Sequence, residues 1–102
     1  MAKLIALYKK PADVAAFDAY YYSIQVPLAK TIPGLRRYEV SVGPVATLQG
    51  ESPFHLVATL SFDSMGAIQQ ALVSTEGKAT AADLVNFAQA GVELLVFESK
   101  EV

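Results

Sequence analysis

Hydrophobic and polar residues along the chain alternate with two different periods, which together predict four strands and two helical regions. Residues 3–9 form a short apolar run that ends in charge, a pattern typical of a strand buried on both faces. Residues 35–42 and 54–62 alternate apolar and polar positions, as strands with one buried face do. Residues 92–98 are apolar except for one glutamate and predict the last strand, while residues 45–52 read as a loop or an irregular hairpin.

Apolar residues at spacings of three and four predict the helices. The stripe of the first helix consists of Val14, Phe17, Tyr21, Ile24 and Leu28. Because Pro27 lacks an amide hydrogen, we expect a break or kink near residues 25–27. The second helical region is expected in two pieces, since Asp63 or Ser64 offers one N-cap and Ser74 offers another.

The resulting order is strand, helix, strand, strand, helix in two pieces, strand. Two βα units joined by a hairpin predict an α+β, ferredoxin-like βαββαβ fold with a four-stranded antiparallel sheet. One domain over residues 1–102 accounts for the whole chain. In this fold the helices cover one face of the sheet, so the other face would be bare in a monomer.

Composition adds a second reason to expect a partner subunit. Apolar residues make up 53% of the chain and charged residues 18%, against averages of about 45–50% and about 25%. A domain of this size cannot hide that surplus by itself, and no apolar run approaches the roughly 20 residues of a membrane-spanning helix. We therefore expect an obligate homo-oligomer.

The charge pattern indicates which partners to exclude. The formal net charge is −2, and no basic run exceeds two residues. Nucleic acids and membrane surfaces attract basic stripes, so we expect neither as a partner. The N-terminus lacks the layout of a signal peptide, and we expect a cytoplasmic location.

Cofactor chemistry is also constrained. The chain contains no cysteine and a single histidine, which excludes disulfides, thiolate zinc sites and a multi-histidine metal site within one chain. No glycine-rich phosphate-binding motif is present. We expect neither a metal nor an organic cofactor.

Several short motifs follow one another along nearly the whole chain: Leu7-Tyr8, Phe17-Asp18-Ala19-Tyr20-Tyr21, Pro27-Leu28-Ala29, Ile32-Pro33-Gly34-Leu35-Arg36, Tyr38-Glu39-Val40, Phe54-His55-Leu56, Phe62-Asp63-Ser64-Met65, and Ser74 through Phe87. This ordered set resembles the EthD family, named for ethyl tert-butyl ether degradation. The resemblance implies a dimeric α/β barrel, in which two ferredoxin-like subunits pack sheet to sheet and ligands lie between sheet and helices.

What the resemblance implies about activity is less specific. Members of the family are commonly labelled reductase-like or oxidoreductase. The wider group includes lactone isomerases, polyketide cyclases and cofactorless monooxygenases. Family members often carry a His-x-Pro-Leu motif, and the matching stretch here is Gln25-Val26-Pro27-Leu28. A glutamine cannot exchange a proton near pH 7 as histidine does, so that acid–base role would be lost or moved.

The run Tyr20-Tyr21-Tyr22 followed by Gln25 is the first candidate for site chemistry. Tyr21 and Gln25 lie four residues apart, so their side chains are neighbours on a helix. A phenol and an amide at a pocket edge could hydrogen-bond a ligand carbonyl or enolate. The commoner interpretation is that such tyrosines are packing residues with their hydroxyls in water.

His55 is the second candidate, because its unperturbed pKa lies near neutrality. It would serve as general acid or base. Alternatively, it is a strand-end or interface histidine satisfied by a backbone or carboxylate partner. Strand alternation places His55 with Val57 and Thr59, on the face away from the helices.

Asp83 and Asn86 form a third pair, three residues apart on the last helix. They would provide a carboxylate at a pocket mouth, or lie on a solvated helix face as a local cap. We favour the solvated face.

These observations support a small dimeric protein of catabolic or secondary metabolism that binds a small apolar oxygenated compound. As an enzyme it would be a cofactor-independent isomerase, cyclase or oxidoreductase. The alternative is a non-catalytic accessory subunit supporting an oxygenase pathway. We assign catalytic roles to His55 and Tyr21, and ligand-binding roles to Tyr8, Tyr20, Gln25, Tyr38 and Phe87.

Overall fold

The predicted strands form one four-stranded antiparallel sheet in the computed structural model, which describes residues 1–102. The central strand β1 (Ala2–Lys9) pairs with β5 (Phe54–Phe62) on one side and with β6 (Val92–Glu98) on the other. β2 (Arg37–Val40) forms an edge by pairing with β5, which gives the order β2-β5-β1-β6. The predicted ferredoxin-like α+β fold is confirmed.

The connection between β2 and β5 carries a small hairpin. Its strands are β3 (Ala46–Thr47) and β4 (Gly50–Glu51), which pair only with each other. β2 is shorter than the predicted span 35–42. Beyond it, the Ser41 amide still donates to the carbonyl of Val57, but the chain then leaves the sheet and Val42 is 93% exposed.

The first helical region continues where we expected an interruption. α1 (Val14–Tyr20) passes through a π-helical stretch (Tyr21–Gln25) into α2 (Val26–Ala29). The amide of Val26 donates to the carbonyl of Tyr21, five residues earlier. Ahead of Pro27 one turn of the helix therefore contains an extra residue, as in the π-bulges of other α-helices. The helix continues through this turn and does not end there.

The second helical region has the two pieces that its serines predict. α3 (Met65–Val73) starts at Ser64, whose side chain accepts from the Ala67 amide. α4 (Thr75–Ala82) starts at Ser74, whose side chain accepts from the Gly77 amide. A 3₁₀ turn (Asp83–Asn86) then leads towards β6.

The hydrophobic core lies between the helices and one face of the sheet. Alternate residues of β5 are buried there: Leu56, Ala58, Leu60 and Phe62. Tyr8 and Ala6 of β1 lie on the same face. The period-two pattern of the sequence thus predicts the buried face of β5 correctly.

The opposite surface of the sheet, which we call the open face, has no helix over it. Cross-strand partners there include Ile5 with Leu95 and Leu7 with Glu93. Leu95 and Phe97 remain 50% and 43% exposed. None of the helices combines the length and the apolar character needed to span a bilayer.

Candidate functional site

A small space between sheet and helices, which we call the inner cavity, brings together four of the residues selected from the sequence. Its volume is about 80 Å³, and most of its lining is hydrophobic. Tyr8 enters from β1, Tyr38 from β2, and Tyr21 and Gln25 from the π-helical stretch. α4 also reaches the cavity, through residues such as Thr80.

Local structure explains why these side chains converge. Period-two alternation places Tyr8 opposite Leu56 and Tyr38 opposite Leu60, so both tyrosines share the helix-covered face of the sheet. Tyr21 and Gln25 share one side of their helix and are both buried.

Two of the phenols form a hydrogen-bonded pair. The hydroxyls of Tyr21 and Tyr38 lie 2.6 Å apart, and either oxygen can be the donor. Tyr21 is fully buried and Tyr8 is 3% exposed. Burial raises the pKa of Tyr8, Tyr21 and Tyr38 above the usual value of 10. All three phenols are therefore neutral hydrogen-bond donors near neutral pH.

Gln25 is the buried amide of the cavity, with an exposure of 4%. Its amide faces the Tyr8 phenol closely enough to oppose, in part, the rise in the pKa of Tyr8 that burial causes. Its carbonyl oxygen Oε1 is buried and has no hydrogen-bond partner. Buried polar groups in proteins are nearly always paired, so this unpaired oxygen, on a residue that lines the cavity, is an exception.

Tyr20 and Phe87, the other predicted ligand-binding residues, lie behind the cavity and do not line it. The Phe87 ring packs against Tyr8 and Tyr20, with ring centroids 5.6 and 5.4 Å apart. The Tyr20 hydroxyl donates to Asp83 over 2.6 Å. Both residues support the wall that holds Tyr8 and Tyr21.

The structure corrects the interpretation of Asp83. Its side chain is 8% exposed, where we expected a solvated helix face. Oδ1 accepts from the Tyr20 hydroxyl and from Asn86 Nδ2, while Oδ2 has no partner. The sequence could not indicate this, because Tyr20 and Asp83 are 63 residues apart.

The expected orientation of His55 is wrong. Tyr8 pairs with Leu56 and Lys9 with Phe54, so His55 is the extra residue of a bulge in β5. Such a bulge redirects side chains, and the imidazole faces α1. Its Nε2 lies 2.7 Å from Asp18 Oδ1, a carboxylate partner whose identity the sequence did not reveal.

His55 and Tyr21 consequently do not share a cavity. His55 lines a second, open space of about 720 Å³, the outer cleft, bounded by residues such as Val14, Asp18 and Val45. The rings of Phe17 and His55 are perpendicular, with centroids 5.2 Å apart, and Phe17 is also nearly parallel to Tyr21, with centroids 5.9 Å apart. No group of three or more His, Cys, Asp or Glu side chains in the chain is arranged to hold a metal ion.

Comparison with known proteins adds the family. The model of the EthD domain matches residues 9–91, which is most of the chain. The chain belongs to the EthD family. An uncharacterized 11.0 kDa protein of Rhodococcus erythropolis, from the thcB–thcC intergenic region, is 39% identical over 103 residues and aligns with 100% of this chain and 98% of its own length.

Solved structures place the EthD fold in a wider context. An EthD-family protein of Bacillus halodurans superposes with a TM-score of 0.90 at 40% identity, covering 98% of this chain and 99% of its own. SnoaB of Streptomyces nogalater, described as a cofactor-independent oxygenase, gives 0.70 at 14% identity, covering 99% and 94%. A dimeric ferredoxin-like protein of unknown function from Thermobifida fusca gives 0.69 at 13% identity, covering 94% and 88%. The latter two likenesses concern the fold.

Proposed function

We propose that this EthD-family protein binds a small, largely apolar, oxygenated compound in the inner cavity. The observation that carries the proposal is the convergence of Tyr8, Tyr21, Gln25 and Tyr38 on one apolar-walled space. Ligand sites typically combine apolar walls with a few convergent polar groups. Packing alone accounts for buried tyrosines, but not for a buried amide whose carbonyl oxygen has no partner.

The chemistry that this cavity supports is hydrogen-bond donation to a ligand oxygen. Neutral phenols stabilise an oxygen on which negative charge develops, as in enolisation or ring closure. We propose isomerisation, cyclisation or cofactor-independent oxidation as the reaction class. The fold shared with SnoaB supports this class only as an analogy between folds.

A non-catalytic, ligand-binding accessory role is the second candidate, and two observations favour it. Gln25 stands where a titratable histidine would supply acid–base chemistry, and an amide does not titrate. His55, our candidate proton carrier, lies beyond Phe17 from the phenols. As an enzyme, the protein would need His55 to act on a compound that reaches the outer cleft.

We further propose that the protein is a homodimer joined through its open face. Leu95 and Phe97 expose large apolar surfaces there, and β6 is exposed along most of its length. Patches of this kind mark association surfaces. The likeness to a ferredoxin-like protein described as dimeric supports the same arrangement.

Binding can be tested with intrinsic fluorescence, because the chain contains five tyrosines and no tryptophan. Small oxygenated compounds should change the tyrosine fluorescence and the NMR signals of residues that line the inner cavity. Tyr21→Phe should weaken binding several-fold, whereas Tyr22→Phe, on an exposed ring, should not. If no compound perturbs cavity residues at millimolar concentration, the proposed binding function is wrong.

Turnover separates the two candidate functions. An enzyme should convert a bound compound without added cofactor, and both Tyr21→Phe and His55→Ala should reduce the rate at least tenfold. The accessory candidate predicts that the compound is recovered unchanged, and that His55→Ala binds it as the unaltered protein does.

A further inference from the structure

The inner cavity contains more hydrogen-bonding groups than its own pairs satisfy. Between Tyr21 and Tyr38 one hydroxyl donates and the other accepts. The accepting phenol keeps its own proton, because each phenol carries one donor. One O–H of this pair therefore remains free to donate.

Gln25 supplies the complementary group. Its carbonyl oxygen Oε1 is buried and has no hydrogen-bond donor within reach. With the side chain 4% exposed, bulk water cannot satisfy this oxygen. A buried acceptor without a partner carries its full desolvation penalty, so occupation of the cavity by a donor is favoured.

We propose that the inner cavity selects compounds that carry a hydroxyl, such as alcohols and enols, over ethers and ketones of the same size. This inference rests on the proposed binding function and narrows its ligand class. A hydroxyl oxygen accepts from the free phenol while its proton is donated to Gln25 Oε1. An ether or a ketone can only accept, and it leaves Oε1 unsatisfied.

The volume of the cavity indicates how large the buried part of the ligand is. A cavity of about 150 Å³ lined by apolar residues accommodates benzene. The inner cavity, at about 80 Å³, is roughly half that size. It therefore encloses a hydroxyl and a short branched carbon chain, and a larger compound would extend past Leu72 and Leu94 at the rim of the lining.

A matched set of three probes tests this selection: 2-butanol, its isomer methyl isopropyl ether, and butanone. Dissociation constants are measured from shifts of the NMR signals of residues that line the inner cavity. We expect 2-butanol to bind about tenfold more tightly than either other probe, in line with the penalty for a buried unsatisfied acceptor.

Gln25→Met removes the acceptor and keeps a side chain of similar length. In this variant the preference for 2-butanol over the ether should fall to about unity. Gln69→Met, on the exposed side of α3, is the control and should keep the full preference. If Gln25→Met does not fold, the comparison of the three probes on the unaltered protein still decides the question.

The outcomes distinguish this inference from the function on which it rests. Equal binding of alcohol and ether, or tighter binding of butanone, overturns the hydroxyl selection while the binding function stands. If none of the three probes shifts the cavity signals, the binding function fails and the selection fails with it. Equal loss of preference in Gln25→Met and Gln69→Met would also contradict the role of Oε1.

Discussion

Three neutral phenols and one buried amide line the inner cavity. Tyr8 and Tyr21 are the most deeply buried of them, and burial raises their pKa above the ordinary value of 10. In the unfolded chain these phenols are exposed to water, so they ionise near their ordinary pKa of 10. This difference links the stability of the fold to alkaline pH.

We expect the free energy of unfolding to be insensitive to these phenols below about pH 10 and to fall above it. Above that pH the unfolded state releases protons that the folded state retains, so stability decreases as pH rises. Each phenol held neutral contributes a slope of about 1.4 kcal/mol per pH unit. Urea unfolding between pH 8 and pH 11 measures the slope, and Tyr8→Phe or Tyr21→Phe should each flatten it. An unchanged slope in both variants would contradict this linkage.

The pair of hydroxyls on Tyr21 and Tyr38 makes a second prediction at this scale. Either Tyr21→Phe or Tyr38→Phe leaves the other hydroxyl without this partner and should lower stability by about 1 kcal/mol. The double variant should lose clearly less than the sum of the two single losses, because they share one interaction. Chemical denaturation of the four proteins completes the cycle, and strict additivity would show that the hydroxyls do not interact.

At the scale of elements, the π-helical stretch and the corner between α3 and α4 determine the shape of the inner cavity. The π-helical stretch holds Tyr21 and Gln25 on one buried side. The corner is tight: a Cβ on Gly77 would lie 1.9 Å from the carbonyl oxygen of Ala71. Because Gly77 has no Cβ, α4, with Thr80, can pack this close to α3.

Gly77→Ala should therefore destabilise the protein by about 2–4 kcal/mol, since overpacking against backbone forces the helices apart. The matched control is Gly66→Ala, because Gly66 is also helical and a Cβ there meets only the Ser64 hydroxyl at 3.6 Å. That substitution should raise stability by about 0.5–1 kcal/mol through helix propensity. Thermal unfolding of both variants tests the contrast, and equal effects would refute the role of the corner.

At the scale of the whole molecule, the uncovered open face is the dominant feature. Helices cover the opposite surface of the sheet, while Leu95 and Phe97 stay about half exposed on this one. Arg37 and Glu39 lie on the same face but on the opposite edge strand, β2, and are exposed as well. A mixed surface of this kind suits association with a second copy.

Leu95→Glu should convert the proposed dimer into a monomer, because each dimer would then bury two carboxylates against apolar neighbours. Leu48→Glu is the control, since Leu48 is fully exposed in the connection between β3 and β4, away from the sheet. Light scattering at micromolar concentration should give about twice the chain mass for the control and the chain mass for Leu95→Glu. A single-chain mass for the unaltered protein would disprove the dimer.

Local pattern predicted most of this molecule. Period-two alternation identified the buried side of β5, and the N-cap candidates Asp63 or Ser64 and Ser74 located both helix starts, of which the structure uses Ser64 and Ser74. The same rules brought Tyr8, Tyr21, Gln25 and Tyr38 to one cavity, because each residue lies on the buried side of its own element. Interactions between residues close in sequence suffice for such predictions.

Long-range pairing decided the rest. The bulge that turns His55 towards Asp18 exists only in the register between β5 and β1. Asp83 is buried because Tyr20, 63 residues away, meets it across the helices. Neither arrangement has a local signature, since each depends on where distant segments dock. The sequence determined the fold and the buried side of its elements. The tertiary structure alone decided which of the selected residues line the inner cavity, because it placed His55, Tyr20 and Phe87 outside that lining.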